Sequence, residues 1–195
     1  MRFGRRHSGL DFRRKRRKVD QGTVKKTAVL AVEIIIVIAL AFSFVYCLGM
    51  STRVAGNSMA STLKNGDKVL INRLVYQITE PKSNDVIAFY PNGNEKTHLY
   101  IKRVVGVPGD KVQITDGEIY VNGKAFDQKD TEPIESAGLA ENEITLGEDE
   151  YFVLGDNRNS SEDSRYANIG NIKKSYIKGK VWFRSAPYRS MGKVK

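Results

Sequence analysis

Histidine and cysteine are nearly missing from this chain. Only two histidines occur in 195 residues, His7 close to the N-terminus and His98 in the main body. A Ser-His-Asp triad would therefore have to use His98, and no serine sits in a G-x-S-x-G elbow. Zinc hydrolysis lacks ligands for the same reason, and His98 reads as a surface or strand-edge residue. The single cysteine, Cys47, falls within a long apolar run, so no intrachain disulfide can form. Asp156, Asn157, Glu162 and Asp163 bring oxygen donors together, but their spacing departs from the known calcium-loop pattern. No metal and no cofactor is expected. Repeats and low-complexity segments are also absent.

Charge is scarce in a different sense, because almost all of the net +10 lies at one end. Eleven lysines and arginines up to Lys26, set against Asp11 and Asp20, hold nine of the ten net charges. The remainder is nearly neutral, so a nucleic-acid-binding domain is not indicated and no nucleic-acid partner is expected. From Ala28 to Met50 the chain is apolar except for Glu33 and Ser43. About 20 such residues cross the hydrocarbon core as a helix. A core helix of this length would carry polar positions every third or fourth residue, and a cleavable signal peptide has a shorter apolar core ending in a small-x-small site. Tyr46 to Ser51 offers no such site. The predicted organisation is a basic cytoplasmic tail (1–27), a transmembrane anchor (28–50) and an extracytoplasmic domain (51–195). The basic residues set this orientation: those of the tail outweigh Arg53 just beyond the span, which keeps the N-terminus cytoplasmic. The chain is thus expected at the cell membrane, single-pass, in contact with lipid.

Beyond the span, short apolar runs alternate with turn signals. Strands are predicted at Lys68–Asn72, Asp85–Tyr90, Leu99–Val107, Tyr151–Leu154 and Ile177–Phe183. Lys111–Thr115 and Glu118–Val121 flank Asp116-Gly117, a two-residue hairpin signal, and Asn122-Gly123 turns the chain again. Phe126–Glu150 is rich in Asp and Glu and reads as a solvated insertion. The fold class that follows is mostly β, with coiled or barrel-like antiparallel sheets in one domain behind a single transmembrane helix.

Two residues stand out chemically. Ser58 follows Gly56 and Asn57, a small residue and a turn-former that suit a backbone exposing a hydroxyl. With no histidine at hand, a serine nucleophile needs another base, and lysine is the next candidate. Lys102 lies among Tyr100, Ile101, Val104 and Val105. A free lysine is neutral only about once in 2,500 at pH 7, and burial can lower its pKa by several units. The residues alone leave Lys102 open between a buried base and a strand lysine reaching solvent.

Four ordered stretches, GNSMASTL, GDKVLINR, IKRVVGVPGD and GDNRNSSEDSR, follow one anchor. Together they resemble the bacterial type I signal peptidases, Ser-Lys enzymes that remove signal peptides from secreted proteins. The resemblance implies a membrane-bound serine endopeptidase in which Ser58 is the nucleophile and Lys102 the general base. It places Ser161 as the hydroxyl that positions the lysine amine, and Asp163 as a structural aspartate paired with Arg103 and Arg165. It gives the Ser58 backbone N–H to the oxyanion hole. Some family members add a serine hydroxyl two residues before the nucleophile, where this chain has Gly56. The implied substrates are preprotein signal peptides with small residues at the first and third positions before the cut.

One departure is Ser61, where the family usually has proline, a change that loosens the turn. It is the only support for a competing reading, a catalytically weakened, membrane-tethered β domain that binds export partners. A self-cleaving Ser-Lys repressor is a further alternative, opposed by the apolar span.

Overall fold

The computed structural model describes residues 21–48, 50–126 and 132–194. The basic cluster up to Lys18, and Asp127 and Asp130 of the acidic stretch, lie outside the described residues.

Helix α1 (Gln21–Leu48) has 28 residues, about 42 Å at ~1.5 Å per residue. Its Gly22–Ser43 portion is long and apolar enough to cross a membrane. Val29, Ile35, Ile38 and Leu40 are all more than half exposed. Met50, the last residue of the apolar run, opens strand β1 (Met50–Arg53) and pairs with Ile71 of β2 (Lys68–Asn72). Hydropathy cannot separate an apolar helix end from an apolar strand start.

The rest is mostly β. After a short helix α2 (Val75–Ile78) come β3 (Val86–Phe89), β4 (Tyr100–Gly106), β5 (Lys111–Thr115), β6 (Glu118–Val121), β7 (Lys124–Ala125) and β8 (Ile144–Thr145). They are followed by β9 (Glu150–Leu154), β10 (Ile172–Lys173), β11 (Ile177–Ala186) and β12 (Gly192–Lys193). All pairings are antiparallel. One sheet runs β1-β2-β11-β3-β4-β9-β10 with β12 on β11, and a second runs β7-β6-β5-β8. The register of β11 shifts near Ile177, Val181 and Arg184, and such bulges bend and twist a sheet. The hairpin signals hold because both residues of Asp116-Gly117 (φ 51° and 78°) and of Asn122-Gly123 (φ 52° and 75°) are left-handed, as a two-residue turn between twisted strands requires.

Strand β4 positions the site. It lies between β3 and β9, and every residue from Ile101 to Gly106 is buried. Successive side chains point to opposite faces, so Lys102 shares a face with Tyr100 and Val104 while Arg103 shares one with Ile101. Two adjacent cations are thereby buried on opposite sides of one strand.

Phe126–Glu150 corrects the expectation of a solvated insertion. Its acids Glu132, Glu135 and Glu141 are exposed, but Ile134, Ala140 and Leu146 are buried in a cluster with Val112, Ile114 and Phe152. Acidic composition concealed three apolar anchors placed too irregularly to register as a period.

Candidate active site

The chain around Ser58 is a helical turn pinned from below. Ala60 N donates to Asn57 O at 3.0 Å, and Thr62 N and Leu63 N donate to Met59 O at 2.9 and 2.6 Å. Met59 and Leu63, four apart and so on one side of the turn, are 1% and 0% exposed in the core beneath β2 and β3. Full burial of each side chain contributes about 1.5–3 kcal/mol. Gly56 enters the turn at φ 82°, a region costing an L-residue about 1–2 kcal/mol. Among the described residues, neither the Ser58 hydroxyl nor its backbone N–H makes a hydrogen bond.

The loop after β9 is latched onto this turn. Asn157 donates its backbone N–H to Ser58 O at 3.0 Å and its amide to Asn57 O at 3.1 Å. Gly155 lies so close that a Cβ there would fall 2.5 Å from Ser58 O and 2.2 Å from Ser161 Oγ.

Beneath the loop are two buried, bidentate ion pairs. Arg103 donates Nε and Nη2 to Asp156 at 2.8 and 2.7 Å. Arg165 donates Nε and Nη2 to Asp163 at 2.8 and 3.0 Å, and Nη1 to the Ser136 carbonyl at 3.1 Å. The expected pairing of Asp163 is therefore met by Arg165, whereas Arg103 forms its ion pair with Asp156 on the other face of β4. Removing one member of such a pair costs about 3–5 kcal/mol, because the other is left charged and buried. Arg158, also buried, donates to Gly155 O at 2.9 Å; burial pushes its guanidinium down to about 10.

Sequence reasoning missed three of these residues. Asp156 looked like a calcium-loop oxygen, and Arg158 carried no signal. Thr62 donates its hydroxyl to Asp156 Oδ2 at 2.5 Å, tying the Ser58 turn to the buried pair. That contact, with Met59 and Leu63, holds the turn that proline would otherwise stiffen. Ser61 N–H meets no acceptor among the described residues, so Ser61→Pro should add about 0.4–1 kcal/mol of stability and leave cleavage within a few-fold. A rise of tenfold or more in cleavage would mean that the turn is loose in this chain.

Ser58 and Lys102 line one cleft of about 390 Å³, together with Gly56, Asn57, His98 and Glu162. His98 is exposed. Lys102 is 3% exposed, with its Nζ 5.6 Å from the Tyr100 ring centroid. Among the described residues Nζ forms no hydrogen bond or salt bridge. Burial lowers its pKa from 10.5 to about 8; Asp163, Glu162 and Asp156 oppose the fall and Arg165 assists it. Near pH 7 roughly one amine in ten is then neutral. Ser161 Oγ is buried without a hydrogen-bond partner, so its expected link to the lysine amine is not made here.

A partly exposed serine on an anchored turn and a buried lysine with a lowered pKa share one cleft. A profile for "Signal peptidase, peptidase S26" matches residues 26–186. This chain belongs to the signal peptidase family, peptidase S26. Signal peptidase IB of Staphylococcus aureus (strain Mu50) is 35% identical over 178 residues, covering 80% of this chain and 90% of that one. A probable signal peptidase I-2 of Synechocystis is 31% identical over 160 residues, covering 76% and 71%. The crystal structure of a signal peptidase I from Enterococcus faecalis V583 superposes with a TM-score of 0.45 at 30% identity, over 53% of this chain and 98% of that one.

Proposed function

We propose that this chain is a membrane-bound serine endopeptidase that removes N-terminal signal peptides from exported preproteins, with Ser58 as nucleophile and Lys102 as general base. The observation that carries this reading is the shared cleft, in which the one lysine buried among the described residues has a pKa lowered to about 8.

In this mechanism the neutral Lys102 amine takes the Ser58 proton as Oγ attacks the scissile carbonyl carbon. The Ser58 N–H, without an internal partner, donates to the developing oxyanion. The Lys102 ammonium then protonates the departing amine, releasing the mature protein and leaving an acyl ester on Ser58. Water, deprotonated by the same amine, hydrolyses the ester. Ser161 Oγ is assigned as the acceptor that orients the amine, and Asp163 with Arg165 as the support of that segment. Gly56 offers no hydroxyl, and its φ disfavours a serine there, so a second oxyanion donor is backbone or water.

Residues 1–27 are assigned to a cytoplasmic tail, 28–50 to the anchor and 51–195 to the extracytoplasmic face, with the helix in contact with lipid. Small side chains at the first and third positions before the cut are assigned to this cleft. Full-length protein in detergent should cleave a preprotein at one bond; a wild-type chain that cleaves none would favour the non-catalytic β domain. Protease added to spheroplasts should digest the chain beyond Ser51 and spare the tail, and protection of the domain would reverse the topology.

A further inference from the structure

We propose that Glu162 makes the cleft selective for a basic side chain close to the scissile bond and rejects an acidic one, an inference that rests on the Ser-Lys reading of the same cleft. Glu162 lines the cleft with Ser58 and Lys102, and its carboxylate is held from two elements. Oε2 accepts the Tyr100 hydroxyl of β4 at 3.1 Å, and Oε1 accepts the amide of Asn168. Asn168 is itself fixed, its carbonyl accepting the Asn92 amide at 3.0 Å. A carboxylate has about four lone-pair sites, and these contacts use two. The group is exposed, so the others remain open to an incoming peptide.

The surrounding charges make this carboxylate the one that counts. Asp156 and Asp163 are buried and occupied by Arg103 and Arg165, and Arg158 lies behind Gly155 without lining the cleft. Apart from tyrosine, the ionisable groups lining the cleft are His98, Lys102 and Glu162. When Lys102 is neutral, as catalysis requires, Glu162 gives the cleft a negative charge. A basic substrate residue meets attraction there and an acidic one meets repulsion, so both terms act on selectivity. Glu162 also favours the Lys102 ammonium, alongside Asp163 and Asp156 and against Arg165 and the larger effect of burial. A bound basic residue offsets that field, so its substrate should reach half-maximal cleavage at lower pH than an acidic counterpart.

The test uses full-length protein in detergent and preprotein-derived peptides differing only by Lys, Gln or Glu, scanned over three positions on either side of the cut. At one or more positions wild type should prefer Lys to Glu by about tenfold in kcat/KM, the sum of an exposed attraction and an exposed repulsion. The ratio should shrink in 1 M salt and fall to about twofold in Glu162→Gln, whose rising pH limb should also move to lower pH. A ratio unchanged by Glu162→Gln, or no charge preference in wild type, would overturn the inference alone. If no peptide is cleaved, the Gln series included, the peptidase reading fails and the inference falls with it.

Discussion

Lys102→Met is expected to eliminate cleavage while holding or raising the melting temperature near pH 7. The two effects share one cause. Bringing the amine from 10.5 to about 8 costs on the order of 3 kcal/mol of folding stability, at about 1.36 kcal/mol per pKa unit. The folded state binds this proton less well than the unfolded chain. The cost is therefore full below about pH 8 and fades as pH rises towards 10.5. Methionine has similar length and no charge to desolvate, so its advantage over wild type should be greatest at pH 6–7 and small near pH 10. Wild-type cleavage should meanwhile climb up to about pH 8, as the neutral amine accumulates. Thermal melts across this range, with cleavage assays on the same samples, read both trends. Unfolding of Lys102→Met at neutral pH, or continued turnover, would make the lysine a structural cation.

Ser58→Ala should remove activity without that change in stability. The hydroxyl is partly exposed and has no hydrogen-bond partner among the described residues, so its loss should stay within about 0.5 kcal/mol of wild type. The turn keeps its anchors at Met59 and Leu63 and its tie through Thr62. Cleavage should fall at least about a thousandfold, roughly 4 kcal/mol of barrier. Together the variants separate the partners: one loses activity with a pH-dependent gain in stability, the other with none. Turnover by Ser58→Ala within tenfold of wild type would take the nucleophile role from Ser58.

The parts legible in the sequence were those governed by local rules. Short apolar runs bounded by turn signals located β2, β3, β4, β9, β11 and the β5–β6 hairpin, because buried strands and left-handed turn residues leave a local trace. The two-residue strands β7, β8, β10 and β12 have no such trace, since they exist only through their partners. Of the site, Ser58 and Lys102 became candidates through the four ordered stretches that hold them, since residue type and neighbours alone left each open. The pairing of Arg103 with Asp156 was not legible, because Asp163 is an equally good carboxylate in sequence and only the two faces of β4 decide between them. Ser61 looked like a weakness because proline acts through local stiffness, whereas Thr62, its neighbour, works through a contact 94 residues away.

Gly56, which lines the cleft, and Gly155, which packs against Ser58 and Ser161, are needed for unlike reasons. At Gly56 a side chain would meet nothing within 4 Å, and the backbone alone, at φ 82°, refuses it. Gly155 is not among the positive-φ positions, yet a methyl would strike both Ser58 O and Ser161 Oγ. The first is a demand of handedness; the second is a demand for clearance at the place an L side chain would take. Gly155 is thus the point at which two segments almost a hundred residues apart in sequence are allowed to touch. A methyl group there would push the Ser58 turn away from the loop that carries Ser161.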